Sequence, residues 1–211
     1  MKEFKVENIT RWSNLPENDS ISCYMGHGAQ QNGNAYEVFY NFLREVKPDR
    51  ILEIGTGMGG FTVFLALIKE DLDLNMDILS YDIHGRVGFE QYASYGIDAR
   101  IKDVFSGNYT DVSAEVIEYI RREGTTVILC DGGNKIEEFN LLSNYLKTGD
   151  FIMAHDYSAN PQYFKEHVEM KIWNWMEIQD SDINDAVVKN NLEPFMADEF
   201  QQAVWVCKIK E

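Results

Sequence analysis

Cysteine is scarce in this chain. Cys23, Cys130 and Cys207 lie far apart, form no C-x-x-C pair and are odd in number, so neither a disulfide framework nor a zinc knuckle is expected. They read as reduced thiols. Long apolar runs are also missing. No stretch reaches the roughly 18 to 20 uncharged residues of a membrane span, and the opening "MKEFKVENITRW" lacks the basic-then-apolar layout of a secretion signal. A cytoplasmic protein is the expectation. Positive charge is in deficit, with 19 Lys and Arg against 35 Asp and Glu and a net charge of −16. Such a surface repels a nucleic-acid backbone or an anionic membrane. A small or neutral substrate suits it better, and a homo-oligomer is compatible with it. Neither an internal repeat nor a low-complexity tract is present.

What is present is enough apolar material, 45% of 211 residues, to bury one sizeable α/β core. The blocks "RILEIG", "MDILSYD", "ARIKDVF", "TTVILCDGG" and "DFIMAHD" are short and aliphatic and end in Gly, Asp or His, as buried parallel strands do at their functional ends. Helical segments alternate with them: "NAYEVFYNFLREV", "GFTVFLALIKE", "FEQYASYG", "TDVSAEVIEYIRRE" and "IEEFNLLSNYLKTG". This alternation predicts a doubly wound α/β sheet whose ligands sit beyond the carboxyl ends of its strands. Asn34 and Asp111 are candidate helix caps, and Gly96, Gly124 and Gly149 candidate helix stops. Near the C-terminus, "KIWNWMEIQDSDINDAVVKNN" reads as one helix or two short ones. "LEPFM" and "AVWVCKIK", linked by "ADEFQQ", read as an antiparallel pair, since a parallel crossover needs about a dozen residues. The expected sheet is therefore mostly parallel and seven-stranded, finished by a C-terminal antiparallel hairpin. Residues 1–33, rich in Asn, Ser and Gly, form a candidate arm or lid, and residues 34–211 the main domain.

The stretch "ILEIGTGMGGFTVFLALIKE" carries the first functional signal. Gly55, Gly57 and Gly60 satisfy G-x-G-x-x-G between a strand and a helix, which lets backbone approach a ligand closely. Glu53 extends the pattern to E-x-G-x-G-x-G, ending at Gly59. Here the chain resembles the class I S-adenosylmethionine-dependent methyltransferases, with the Rossmann-like fold just outlined. The resemblance implies that the turn, with Thr56 between its glycines, holds the amino-acid part of S-adenosylmethionine. It also implies that Asp82 accepts the ribose hydroxyls and that Asp103 lies near the adenine amino group. Glu53 has a second reading, as a buried acceptor that shapes the turn, and the two are compatible.

"KPDRILEIGTGMGG", "CDGG" and "AHDYS" occur in the order found in the metal-dependent O-methyltransferases, whose catechol, cephalosporin-hydroxylase-like and macrocin-like types the chain resembles over Gln30 to Ser158. The resemblance implies a divalent cation, Mg²⁺, held by Asp131, His155 and Asp156, with Asp131 also beside the cofactor. Two departures stand out. Asn134 occupies a position where the natural-product enzymes often carry His, and Lys135 is displaced by one residue from the catechol type's general base. Lys135 and His155 are the two candidate bases, and Lys135 needs a lowered pKa to serve. Two carboxylates at neighbouring strand ends repel unless one is protonated, a cation lies between them or a basic group such as Lys135 intervenes.

Tyr24, His27, Tyr157, Tyr163, Trp173 and Trp175 are candidate acceptor-pocket residues, each with an ordinary packing role as the alternative. The tryptophans of "IWNW" cannot share one helix face, so at least one is expected to meet a ligand, a partner or the arm. Gln30 and Gln31 could close over the cofactor. The reading is a metal-assisted O-methyltransferase of a small hydroxylated molecule. Its rivals are a NAD-dependent oxidoreductase, disfavoured by Glu53 and the terminal hairpin, and a non-catalytic cofactor-binding protein with the same fold.

Overall fold

The computed structural model describes residues 9–11, 22–24, 27–85 and 89–211, and gives only backbone for 9–11, 22–24, 27 and 89–91. The chain opens with an antiparallel sheet of β1 (Ile9–Arg11), β2 (Ser22–Tyr24) and β3 (His27–Ala29), followed by α1 (Gly33–Val46). Next come β4 (Arg50–Ile54), α2 (Gly60–Asp71), β5 (Asp77–Asp82), a 3₁₀ segment (Phe89–Tyr95) and β6 (Ile97–Ile101). A small hairpin, β7 (Phe105–Ser106) with β8 (Asp111–Val112), leads into α3 (Ala114–Arg121), β9 (Thr126–Cys130), α4 (Lys135–Leu142) and β10 (Phe151–His155). The remainder comprises a single turn α5 (Pro161–Tyr163), α6 (Asp180–Lys189), β11 (Leu192–Pro194), α7 (Ala197–Gln202) and β12 (Trp205–Lys210).

The main sheet has the order β11-β12-β10-β9-β4-β5-β6. β4, β5, β6, β9 and β10 run parallel, and β12 is antiparallel to both β10 and β11. This is the mostly parallel seven-stranded sheet with a terminal antiparallel hairpin that the alternating blocks imply. Every residue of β4, β9 and β10 is buried, which explains their continuous apolar runs: both faces of the sheet are covered by helices. On one face Tyr36, Phe39 and Phe42 of α1 pack with Phe64 of α2 and Phe200 of α7. On the other, Val116 and Ile120 of α3 pack with Phe139 and Leu142 of α4 and Ile183 of α6.

Some local expectations give way. Asn32, not Asn34, caps α1, its side-chain oxygen accepting the Asn34 N–H at 2.9 Å. Asp111 belongs to β8, and Ser113 takes the N-cap position of α3. Gly96, Gly124 and Gly149 do adopt positive φ. β6 ends at Ile101, so Asp103 lies beyond the strand rather than at its last residue. Of residues 171–191 only Asp180–Lys189 is α-helical. The link "ADEFQQ" is itself the helix α7, fixed by the fully buried Phe200, whose ring meets Phe39 and Phe42 at 5.2 and 5.6 Å. Among the described residues no helix is long and apolar enough to cross a membrane.

Trp205 opens β12 at the junction of core and strand ends. It is fully buried, its ring lies 5.2 Å from Phe39 and 5.0 Å from His155, and its Nε1 donates to Gln31 Oε1 at 2.8 Å. Trp205→Ala should cost about 3 to 5 kcal/mol of stability, the range for emptying a large aromatic site. Urea unfolding measures it, and a loss below about 1 kcal/mol would mean that the aromatic cluster closes around the void.

Candidate active site

The site begins with a crossing of backbones at the carboxyl end of β4. Gly55 has φ of +95°, and a Cβ there would lie 2.1 Å from the Asp131 carbonyl oxygen. No side chain fits. The crossing is pinned on both sides: Gly55 N–H donates to Tyr81 O at 2.8 Å and Asp131 N–H to Ile54 O at 2.9 Å. Gly59, at φ +76°, is the N-cap of α2, and a Cβ on it would meet the Tyr92 hydroxyl at 1.8 Å. The turn is therefore held from within and from beneath.

Glu53 lies under the turn, 2% exposed. It accepts from Thr62 Oγ1 at 2.7 Å and from the Ser80 hydroxyl, which also lies 2.5 Å from Thr56 Oγ1. Burial pushes its carboxyl up from 4.5 to about 7, against the pull of those two hydroxyl bonds. Asp82, ending β5, accepts Gly57 N–H and His84 N–H, both at 2.8 Å, one on each oxygen. Asp103 accepts Phe105 N–H at 2.9 Å and faces solvent.

These strand ends enclose a cavity of about 340 Å³. Gly55, Gly57, Asp82, Asp103 and Asp131 border it, as does Gln30 from the segment before α1. Glu53, Thr56 and Gly59 do not; they support the turn from behind. The far wall is the β7–β8 hairpin, with Phe105 and Tyr109, together with Lys102 and Val104. Sequence patterning gave no sign of that hairpin, because two-residue strands carry too little periodicity to read. Glu138 was also missed. It is 1% exposed, accepts Gly132 N–H at 3.1 Å and Asn134 N–H at 3.2 Å, and has its carboxyl raised to about 7 by burial. An acid in the first helical turn after Gly-Gly-Asn was the signal that could have found it.

Asp131 connects the cavity to a polar cluster behind it. Its Oδ2 accepts from Gln31 Nε2 at 2.9 Å, and its Oδ1 lies 3.1 Å from His155 Nδ1. Burial raises the Asp131 carboxyl. For His155, burial favours the neutral ring, but Asp131 and Asp156 outweigh it and raise the imidazole. Both shifts keep a proton on the pair. His155 is 1% exposed, lies between the rings of Trp173 and Trp205, and among the described residues its buried Nε2 has no hydrogen-bond partner. Asp156 follows β10 at φ +58°, and its Oδ1 accepts from Trp173 Nε1 at 2.6 Å.

Lys135 completes the cluster. Its Nζ lies 3.0 Å from Asp156 Oδ2, 3.0 Å from Glu177 Oε2, 3.1 Å from the Gly132 carbonyl oxygen and 3.9 Å from Asp131 Oδ1. Glu177 also accepts the Lys135 backbone N–H at 2.8 Å. Burial alone would lower the lysine pKa, but Asp131, Asp156 and Glu177 outweigh it and raise it. The ammonium is thus the resting form, the opposite of what a general base needs. Neither Lys135 nor His155 borders the cavity. Among the described residues no three His, Cys, Asp or Glu side chains are grouped to hold a metal. The place between Asp131 and Asp156 holds the Lys135 ammonium, and Asp156 Oδ1 is taken by Trp173. As arranged, Asp131, His155 and Asp156 do not fit Mg²⁺.

The candidate acceptor residues divide. Trp173 reaches the cluster, whereas Trp175 is 63% exposed. Tyr157 is buried and donates to Asp180 Oδ1 at 2.8 Å, and Tyr163 packs with Val168 and Trp173. The side chains of Tyr24 and His27 lie outside the described residues.

Sheet order, glycine turn and strand-end acids define a class I S-adenosylmethionine-dependent methyltransferase. The family described as rhamnosyl O-methyltransferase/CmcI matches residues 21–203, and the chain belongs to that family. Among solved structures it is similar to CmcI with Mg and SAM, at 13% identity and a TM-score of 0.60, over 100% of this chain and 87% of that one. A CmcI structure with SAH gives 12% and 0.60, over 100% and 94%. A candidate O-methyltransferase from Nostoc punctiforme gives 12% and 0.52, over 84% and 56%. No curated protein sequence matches.

Glu53 gives the site a pH signature. It binds its proton more tightly in the folded than in the unfolded chain, so between pH of about 4.5 and about 7 the native state keeps a proton that the unfolded state releases. Stability therefore falls as pH rises through that window. In Glu53→Gln the stability difference between pH 5 and pH 8 should shrink by about 2 to 3 kcal/mol. Urea unfolding at the two pH values tests this, and an unchanged difference would mean that Glu53 is ionised in the native protein throughout.

Proposed function

We propose that this chain transfers a methyl group from S-adenosylmethionine to a hydroxyl of a small molecule. The observation that carries the reading is that Asp82 and Asp131, on either side of the glycine turn, face one cavity. Membership of a family described as O-methyltransferases supports it. Among the described residues Asp82 holds one backbone N–H on each oxygen, and a carboxylate oxygen accepts more than one bond, so the ribose hydroxyls can share it. The close backbone at Gly55 and Gly57 receives the amino-acid end, and Asp103 serves the adenine side. Gln30 borders the cavity, whereas Gln31 is buried behind it, donating to Asp131 Oδ2 and accepting from Trp205 Nε1.

The sulfonium carbon is already activated, so the protein's task is in-line placement and acceptance of a proton. The acceptor oxygen forms its bond to the methyl carbon as the carbon–sulfur bond breaks and sulfur keeps the electron pair. The hydroxyl proton passes to the Asp131 carboxylate, which faces the cavity, while the proton the pair already holds stays on His155, which orients Asp131 from behind. Metal assistance, expected from the sequence, enters no step of this reading, because the lysine ammonium fills the position concerned. The net charge of −16 favours neutral acceptors, such as sugar or phenolic hydroxyls, over anionic ones.

The test is acceptor-dependent release of S-adenosylhomocysteine across a panel of glycoside and phenol acceptors, beside calorimetric titration of the cofactor. Asp82→Ala should weaken S-adenosylhomocysteine binding by about tenfold to a hundredfold, the equivalent of one charged-acceptor bond. Unchanged affinity would remove the ribose role from Asp82, and binding of NAD in place of S-adenosylhomocysteine would overturn the reading as a whole.

A further inference from the structure

We infer that the Lys135 ammonium is a built-in cation that takes the place of a divalent ion at the ends of β9 and β10, so that this chain's site is complete without metal. Lys135 is a positioning residue, and the argument is geometric. Three oxygens from three separate segments converge on its Nζ: Asp156 Oδ2 at 3.0 Å, Glu177 Oε2 at 3.0 Å and the Gly132 carbonyl at 3.1 Å. Asp131 Oδ1 is 3.9 Å away. Those three lie within about an ångström of the 2.0 to 2.6 Å at which Mg²⁺ or Ca²⁺ binds oxygen. The donor set has the chemistry of a hard-cation site, with a covalently tethered cation already seated in it.

The surroundings hold the ammonium there. Its residue is 6% exposed, and Glu177 clamps it twice, through Nζ and through the Lys135 backbone N–H at 2.8 Å. Glu177 is itself returned to the strand ends by its N–H bond to Asp156 O at 2.9 Å. A divalent ion would have to displace an ammonium that three carboxylates hold, and would then leave it buried and unpaired. His155 fits the same logic. Its Nδ1 turns toward Asp131 Oδ1 at 3.1 Å and Asp156 Oδ1 at 3.6 Å, so a second basic group braces the acids from the side that Lys135 does not reach.

The inference is tested without reference to methyl transfer, by electron paramagnetic resonance of added Mn²⁺. The wild-type protein should bind no Mn²⁺ up to about 1 mM. Lys135→Ala, which removes the tethered cation and leaves the acids, should gain a site with Kd between about 10⁻⁵ and 10⁻³ M. Asp156→Asn in that background should abolish it. Lys135→Arg, which keeps a cation, should stay free of Mn²⁺. Far-ultraviolet circular dichroism establishes that each variant is folded. If the proposed methyl transfer holds, its rate should be the same after exhaustive dialysis against EDTA as with added Mg²⁺. Mn²⁺ binding by the wild type that is lost in Asp156→Asn, or a folded Lys135→Ala without a Mn²⁺ site, would overturn the inference and leave the methyl-transfer proposal standing on its own assay.

Discussion

The site depends on one contact between backbones. Where β4 ends, the chain must turn in the narrow gap between β5 and β9, and Gly55 passes so close to the Asp131 carbonyl that a Cβ would stand 2.1 Å from it. The two hydrogen bonds that fix this crossing, Gly55 to Tyr81 and Asp131 to Ile54, tie the ends of three parallel strands into one rim. Asp82 and Asp131 face the same cavity because of that rim, and the cavity has the depth a close backbone approach allows. Glu53, Thr62 and Ser80 brace it from below. The helices on both faces then only have to keep the strands in register.

Electrostatics decides what the rim can do. A chain with a net charge of −16 brings Asp131, Asp156 and Glu177 together at the ends of β9 and β10, where their repulsion would be large in low dielectric. Two basic side chains resolve it from different directions, Lys135 from the first turn of α4 and His155 from the end of β10. Glu53 and Glu138 are handled differently: each accepts two hydrogen bonds in the interior, and burial lifts each to about 7. Within one small volume the protein uses both available remedies for a buried acid, a charge partner and a retained proton.

The fold could be read because buried parallel strands and amphipathic helices leave long signals. β9 and β10 are apolar at all but one position each, and α1 buries Tyr36, Phe39, Phe42 and Leu43 at the three- and four-residue spacing of one helix side. Short elements stayed hidden. α7 is held by Phe200 against two distant rings and by Asn34 at its last carbonyl, information that six residues of "ADEFQQ" do not contain. The turn glycines and Asp82 could be singled out because their roles are local. Lys135 could not be placed, since its direction is set by Glu177, 42 residues further along the chain, in a segment that sequence patterning read as helical. The acids were legible as a cluster; which cation neutralises them depended on packing that no spacing encodes.

Asp156 sits in the left-handed region at φ +58°, a conformation that costs an ordinary residue about 1 to 2 kcal/mol and that glycine adopts freely. That twist reverses the chain after β10, so that Asp156 O receives the N–H groups of Glu177 and Ile178 at 2.9 and 3.2 Å. Glycine would make the same reversal with less strain, but it would carry no carboxylate for Trp173 and Lys135. The position therefore sets backbone strain against buried charge. Glycine at residue 156 would relieve the strain but leave Trp173 Nε1 and the buried Lys135 ammonium each a partner short, and losing one side of a buried ion pair costs about 3 to 5 kcal/mol, more than the strain returned.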